Sequence, residues 1–360
     1  MTMTIKLPPP APVSLLSVST AVPEGIIAQD DVSALAAELF SHRYPDYQRL
    51  AQVFKTSGIA KRHAVRPMDW YRTQRGWPER TAAYIEGAGA LFEAASRLAL
   101  ERAELSAGDI DTIVTVSSTG IATPSLEVRS FDALGFGTAT RRIPVFGLGC
   151  AGGVSGLAIA ADIARGRPGR NILFVAVELC SLSFRLDLLT KANIVATALF
   201  GDGAGACILR AEPSPSGHAT IGITGEHAWP DTIDLMGWNV DPEGFGVIFA
   251  RAIPPFARAN MGAAVRTILA SGGLAIGDID RFICHPGGAR VVDAVEASLG
   301  LSAKSLDHER DVLADYGNMS APTVLFVLDR MIAAGLPQRS ALLAMGPGFT
   351  ASLAVLERAA

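Results

Sequence analysis

Two kinds of hydrophobic run alternate along the chain. Short, largely apolar stretches at 13–18, 110–117, 143–146 and 171–178 predict strands, and the run at 171–178 carries apolar residues on both faces, as in a parallel sheet covered by helices. Between them lie longer segments, 28–40 and 81–105, that read as helices; in the second, apolar residues recur at helical spacing. The segment after Cys150 is rich in alanine, leucine and isoleucine until Asp162 and Arg165 interrupt it, so it reads as a buried helix. Strands and helices in this alternation predict an α/β fold.

The pattern also repeats. Leu105-Ser106-Ala107-Gly108-Asp109-Ile110-Asp111 recurs as Leu274-Ala275-Ile276-Gly277-Asp278-Ile279-Asp280. Each copy runs into a short apolar strand and then a turn, Ser118-Thr119-Gly120 in the first and His285-Pro286-Gly287-Gly288 in the second. About forty residues later each copy has a glycine turn that opens an apolar helix, carrying Cys150 in one and Tyr316-Gly317-Asn318-Met319-Ser320 in the other. Gly201-Asp202-Gly203 and Gly346-Pro347-Gly348 enter the two closing strands. The chain therefore divides into a proline-rich flexible arm over 1–12, a first half over 13–212 and a second over 213–360, with the turn-rich 212–217 as the boundary. Two such halves related by an approximate twofold would bring Cys150, His285 and Asn318 to one cavity from opposite sides.

These residue types suit acyl-transfer chemistry. Cys150 sits where an extended run turns through glycines into a helix, and unpaired amides with the helix dipole favour a thiolate there. Taken alone it is most simply a buried cysteine, His285 a hydrogen-bonded structural histidine, and Asn318 a helix N-cap. Together they supply a nucleophile, a base able to form a thiolate–imidazolium pair, and two donors for an oxyanion or enolate. Each such donor contributes on the order of 3 kcal/mol in a transition state.

Composition narrows the class. The 360 residues carry a net charge of −4 with no long basic block, which gives no support to nucleic-acid binding. The four cysteines lack metal-ligand spacing and sit in apolar surroundings, as reduced thiols of a cytoplasmic protein would. No signal-peptide core and no apolar run of membrane length occurs, so no stable membrane insertion is expected. Cations gather between Lys55 and Arg80, either as a solvated surface or as an entrance for an anionic carrier such as coenzyme A, with Lys55, Lys61 and Arg62 as regional candidates. The glycine-rich loop 198–206 has no lysine in a P-loop position and no helix signal after it, which argues against a nucleotide site there.

Phe146-Gly147-Leu148-Gly149-Cys150-Ala151-Gly152-Gly153, Leu199-Phe200-Gly201-Asp202-Gly203, His285-Pro286-Gly287-Gly288, Tyr316-Gly317-Asn318-Met319-Ser320 and Gly346-Pro347-Gly348-Phe349, in that order, resemble the type III polyketide synthases, the chalcone synthase-like branch of the thiolase fold. The resemblance runs from about residue 13 to the end. It implies a layered αβαβα architecture of two duplicated halves and a homodimer without metal or organic cofactor, acting on an acyl-CoA starter and malonyl-CoA. It makes Cys150 the acyl-carrying nucleophile, and His285 and Asn318 the pair that drives decarboxylation and holds the enolate. Phe200 matches an aromatic gatekeeper, with Val247 near the position of a second one, and Trp238 falls near a cavity-lining glycine of the plant enzymes. Ser118, Cys180 and Ser183 correspond to cavity threonines, with Thr119 beside them. Thr123 matches a loop position that walls the partner's cavity, and Ser320, Gly346, Pro347, Gly348 and Phe349 complete the expected pocket. The smaller gate and the segments Ser57-Gly58-Ile59 and Met236-Gly237-Trp238 look more like bacterial members that turn fatty acyl starters into alkylpyrones or alkylresorcinols. The alternative is a ketoacyl synthase III-like enzyme making one extension on acyl carrier protein. A papain-like cysteine hydrolase is disfavoured by the repeated halves.

Overall fold

The computed structural model describes residues 11–359, so the expected proline-rich arm lies almost wholly outside the described residues. The first half contributes β1 (Val13–Ala21), a small pair β2 (Ile26–Ala28) and β3 (Lys61–His63), then β4 (Ile110–Val116), β5 (Arg141–Val145), β6 (Asn171–Leu179) and β7 (Asp202–Ala211). The second contributes β8 (Ala219–Ala228), a hairpin of β9 (Met236–Asp241) and β10 (Gly244–Phe249), then β11 (Arg281–Cys284), β12 (Arg339–Gly346) and β13 (Thr350–Arg358). Nine strands hydrogen-bond in the order β11-β12-β13-β8-β1-β7-β6-β4-β5. Read outward from the centre, β1-β7-β6-β4 and β8-β13-β12-β11 have the same order, and within each half the same mixture of parallel and antiparallel pairing. β5 extends the first half only.

The repeat read from the sequence persists at the level of single hydrogen bonds. Asp109 and Asp278 each cap a one-turn 3₁₀ helix by accepting from the backbone N–H three residues earlier, at 2.8 Å in both copies. Asp111 and Asp280 then accept from the N–H of Asn171 and of Arg339, the first residues of β6 and β12. One aspartate thus closes the turn before the second strand of each half, and the next holds that half's neighbouring strand in register.

The halves meet through only three residue pairs of β1 and β8, from Val13 opposite Ile221 to Leu15 opposite Ala219. Beyond that junction they face each other across two buried helices, Gly152–Arg165 and Thr323–Ala334. One core joins Val116, Phe174 and Leu209 of the first half to Ile283, Leu342 and Leu356 of the second through Leu157, Val324 and Leu328 of those helices. Each large side chain buried there contributes on the order of 2 kcal/mol. Helix Trp77–Arg102 covers the outer face of the first half through a second core, and helices Ile253–Ala270 and Ala289–Leu299 cover the second through a third. Helix, sheet, helix pair, sheet and helix form five layers.

Helix Gly152–Arg165 lies close to its counterpart. A Cβ on Gly153 would stand 2.2 Å from the carbonyl oxygen of Ala321, so only glycine lets the two turns that start the central helices approach this closely. Among the described residues no helix is long and apolar enough to cross a membrane.

Candidate active site

Cys150 lies in a single 3₁₀ turn, Gly149–Ala151, that leads into helix Gly152–Arg165. Gly149 adopts φ +49°, and a Cβ there would meet the Pro347 ring at 2.6 Å, so the turn seats directly on the Gly346-Pro347-Gly348 loop of the other half. From its own half the turn is pinned by Ser118, whose Oγ accepts from the N–H groups of Gly147 and Gly149, each at 3.2 Å. Ser118 belongs to the turn after β4, which corresponds to the loop after β11 that begins with His285. In the first half that position anchors the cysteine turn.

Asn318 reaches the site without capping a helix. The helix after it begins at Thr323 with Pro322 as its cap, while Asn318 takes an extended bridge to Phe200. Its N–H donates to Leu199 O at 2.8 Å and its carbonyl accepts from Gly201 N–H at 3.0 Å, so the backbone ties Asn318 to the segment that carries Phe200. The side-chain Nδ2 donates to Gly287 O at 3.2 Å and Oδ1 accepts from Ser320 N–H at 2.8 Å. Asn318 and Ser320 side chains both approach the Cys150 sulfur. His285 follows β11, held by its N–H to Leu343 O at 2.8 Å, and Nε2 lies 3.6 Å from where a Gly287 Cβ would stand. The buried His285 ring has no hydrogen-bond partner on either nitrogen among the described residues. Both nitrogens are free for a reactant.

The electrostatics differ from the expected thiolate. Burial pushes the Cys150 thiol up to about 11, outweighing the hydrogen bonds from Ser320 and Asn318 that favour the thiolate, and the nearby Glu178 carboxylate pushes the same way as burial. Burial holds the His285 imidazole down at about 4. Both shifts favour the uncharged forms, a thiol at Cys150 and an imidazole at His285. By exposed surface Cys150 is only half-buried, and the helix start beside it does not offset the upward shift of its thiol.

The cavity at Cys150 is lined by Ser118, Thr119, Cys180, Phe200, Trp238, Val247, Ser320 and Pro347, while His285 and Asn318 are not among its lining residues. Trp238 and Val247 face each other across the β9–β10 hairpin, and the Trp238 indole donates to Ser118 O at 2.8 Å. Phe200 meets Trp238 edge to face with ring centres 6.4 Å apart. Ser183 instead lines a second, largely apolar cavity that shares Cys180 and Phe200 with the first. Thr123 is exposed and lies outside the Cys150 cavity of its own chain.

Three expectations need correction. Phe349 is fully buried among Trp229 and Phe256 and belongs to the second-half core, while Gly346 packs on the Leu148–Ala151 backbone, so with Gly348 they shape the loop and leave Pro347 as its lining residue. Arg62 is internal. It donates to the carbonyls of Thr197, Ala198 and Phe200 at 2.8, 2.9 and 3.0 Å, at the end of helix Lys191–Leu199, and to the Gln29 side chain. Its charge thus satisfies the orphan carbonyls of a helix end and cannot reach an external phosphate. The cations between Lys55 and Arg80 do not form one face either: Arg80 is buried on backbone carbonyls, Arg66 pairs with Glu86 and Arg72 with Glu38, while Lys55 and Lys61 are exposed.

One residue at the site was missed. Glu178, next to last in β6, is fully buried, and one carboxylate oxygen accepts from Ser118 N–H at 2.9 Å and Thr119 Oγ at 2.7 Å. The other oxygen has no partner, and burial raises the carboxyl to about 7. The signal was available: an acid closing the otherwise apolar run Asn-Ile-Leu-Phe-Val-Ala-Val-Glu.

A duplicated five-layer α/β scaffold that carries a cysteine turn on one half and a histidine loop and an asparagine loop on the other defines a thiolase-like condensing enzyme. Family models place the chain within that class: chalcone and stilbene synthases, N-terminal domain, match residues 9–213, and the C-terminal domain of the same synthases matches residues 223–358. The chain belongs to the chalcone and stilbene synthase family, the type III polyketide synthases. It is 38% identical over 349 residues to a 1,3,6,8-tetrahydroxynaphthalene synthase of Streptomyces peucetius, covering 95% of this chain and 92% of that protein. A putative chalcone synthase of Bacillus subtilis is 35% identical over 353 residues, covering 94% of this chain and 97% of that one. The crystal structure of the 1,3,6,8-tetrahydroxynaphthalene synthase of Streptomyces coelicolor superposes with a TM-score of 0.90 at 29% identity, over 96% of this chain and 99% of the other.

Proposed function

We propose that the protein loads a fatty acyl group from coenzyme A on Cys150, extends it iteratively with malonyl-CoA and cyclises the product to a pyrone or resorcinol. It works as a cytoplasmic homodimer. Cys150 Sγ attacks the starter thioester and coenzyme A leaves as the thiol, taking the cysteine proton by way of His285. Malonyl-CoA then loses carbon dioxide, and its enolate oxygen is held by the His285 Nε2–H and the Asn318 amide. The enolate carbon attacks the acyl carbonyl, the Cys150 sulfur leaves, and the β-ketoacyl-CoA can reload.

The observation that carries the fatty acyl reading is the second cavity. It spans about 570 Å³ when the space open to solvent is included, and its walls are mainly Ile27, Val32, Leu35, Leu39, Met68 and Phe184. It adjoins the Cys150 cavity, with Cys180 and Phe200 lining both. Hydrocarbon transferred there from water gains about 0.8 kcal/mol per buried methylene. The relatives' names do not choose the product, since they include tetrahydroxynaphthalene synthases and, at 29% identity, an alpha-pyrone synthesis polyketide synthase-like protein of Mycobacterium tuberculosis. The dimer is supported by β5, which ends the sheet with an open edge, and by Ile121 and Phe146, each 55% exposed.

Mass spectrometry of products from malonyl-CoA and starters of two to eighteen carbons, with Cys150→Ala as control, tests this reading. Pyrones or resorcinols whose mass follows long starters are expected. Products from malonyl-CoA alone, or single extensions found only on acyl carrier protein, would overturn the starter assignment.

A further inference from the structure

We propose that Glu309 is a positioning residue for the condensing reaction: its carboxylate fastens β11 to helix Asp307–Tyr316 and thereby sets the spacing of His285 from Asn318. The proposal rests on the roles proposed for those two residues in malonyl decarboxylation. β11 ends the sheet and has only four residues, with β12 on one side. Its last N–H and the next one point opposite ways. His285 N–H donates towards β12, to Leu343 O at 2.8 Å, and Cys284 N–H donates away from it, to Glu309 Oε1 at 2.8 Å. Glu309 Oε2 accepts from Arg281 Nη2, also at 2.8 Å. One carboxylate thus holds both the first and the last residue of the strand. In the first half β5 pairs along the equivalent edge of β4. Among the described residues no strand covers β11, and Glu309 supplies the acceptor that a neighbouring strand would have offered. It is fully buried, where a carboxylate is tolerated only with its oxygens bonded.

The same helix delivers Asn318. Glu309 and Tyr316 lie seven residues apart, so they share a face of the helix at a separation of roughly 10 Å. Gly317 follows with φ +69°, and its N–H closes the helix on Leu313 O at 3.0 Å. A Cβ there would stand 2.8 Å from Leu199 O, so the exit of the helix is tightly seated. Asn318 comes next, and its Nδ2 donates to Gly287 O in the loop that begins with His285. These contacts close a ring: from Glu309 to Cys284, along the chain to Gly287, across to Asn318, and back through the helix. A closed ring has one spacing. Opened at Glu309, it lets the edge strand move away from the helix, and His285, the next residue, moves with it. A shift of about 1 Å costs on the order of 100-fold in rate where donors must meet a developing enolate.

Release of labelled carbon dioxide from malonyl-CoA by Glu309→Leu, Glu309→Asp and Glu309→Gln tests this. Glutamine keeps an oxygen within reach of Cys284 N–H and drops the charge; aspartate keeps the charge and loses the reach. Glu309→Leu should lower kcat for release by roughly 30-fold and Glu309→Asp by roughly 10-fold, with Glu309→Gln within about threefold of the wild type. The KM for malonyl-CoA should stay within about twofold throughout. Alkylation of Cys150 by iodoacetamide should keep its rate, because the cysteine turn belongs to the other half. A role in stability alone would lower the melting temperature and leave kcat per folded molecule unchanged. Should leucine prevent folding, glutamine must still exceed aspartate. Placement is read without turnover from protein carrying carbon-13 at histidine Cε1, with the His285 signal assigned by His285→Gln. That signal should shift in Glu309→Leu and Glu309→Asp and hold in Glu309→Gln. An unmoved signal, wild-type release by a folded leucine or aspartate variant, or aspartate above glutamine overturns the proposal. A wild type that releases no carbon dioxide from malonyl-CoA sinks the proposed function, and the His285 signal then settles the placement by itself.

Discussion

Replacing Glu178 with glutamine should remove a pH dependence of stability and make Cys150 a better nucleophile. In the folded protein the Glu178 carboxyl is raised from 4.5 to about 7 by burial. Between those values the folded chain holds a proton that the unfolded chain has released, so stability falls as pH rises, by up to about 1.4 kcal/mol per pH unit. Across the window this amounts to roughly 3 kcal/mol. Glutamine keeps the oxygen that accepts from Ser118 N–H and Thr119 Oγ and places an uncharged group where the unpartnered oxygen now lies. The variant should therefore match the wild type near pH 4.5 and exceed it by roughly 3 kcal/mol at pH 8, read from urea unfolding at intervals between. His285 contributes with the opposite sign: with its imidazole held at about 4, stability is lost as pH falls from 6.5 towards 4. The difference between variant and wild type isolates Glu178 from that background. The Glu178 carboxylate also raises the Cys150 thiol, so iodoacetamide should alkylate Cys150 faster in the variant above pH 7, with Cys150→Ala as the blank. Parallel stability curves from pH 4.5 to 8 would refute the argument.

Gly153→Ala would force its new Cβ, 2.2 Å from Ala321 O, to push the two central helix starts apart; a loss of about 3 kcal/mol in urea unfolding is expected, with activity falling as Cys150 separates from Asn318. A fully stable variant would show that the approach is not tight. Arg62→Met leaves three helix-end carbonyls without their donor and should cost about 3 kcal/mol without selectively raising the KM for acyl-CoA; a normal melting temperature with a raised KM would restore Arg62 to the carrier site. Ala196→Phe fills the apolar cavity from helix Lys191–Leu199 and should shift starter preference towards shorter chains, measured as the product mass distribution; an unchanged distribution would remove the tail from that cavity.

Much of this arrangement was legible because it is written in short-range signals. The short apolar strand read ahead of the His285 turn is β11, and the repeated Leu-x-x-Gly-Asp-Ile-Asp segment predicted two equivalent turns whose aspartates make equivalent hydrogen bonds. Helix Trp77–Arg102 starts four residues before the expected 81, because Glu79 accepts from Gly76 N–H and Pro78 suits a first turn. What escaped were consequences of burial, which depend on partners distant in sequence. Arg62 and Lys61 look alike in a basic stretch, yet only Arg62 points into the helix end at 197–200. Phe349 belongs to a recognisable motif, and its ring still packs into the core beside Trp229. The thiol of Cys150 has a helix start beneath it, and desolvation overrides that effect.

The duplication supplies Cys150 from one half and His285 from the other, and burial favours the uncharged form of each. Equivalent loops of the two halves have taken different tasks: after β4, Ser118 holds the cysteine turn with its hydroxyl and backs onto Glu178; after β11, His285 keeps both ring nitrogens free. The turn opening the first central helix carries the sulfur, and the turn opening the second carries Asn318, tied to Phe200. One half thus fixes a nucleophile in place and the other presents unspent hydrogen-bonding groups to whatever arrives. Burial favours the uncharged form of both groups, so on the proposed chemistry charge is created only as the thioester binds and its carbonyl oxygen takes the free donors. Such a site would hold the thiol unreactive between turnovers while keeping the oxyanion donors already aimed, which spares the reaction the cost of reorganising solvent around a developing anion.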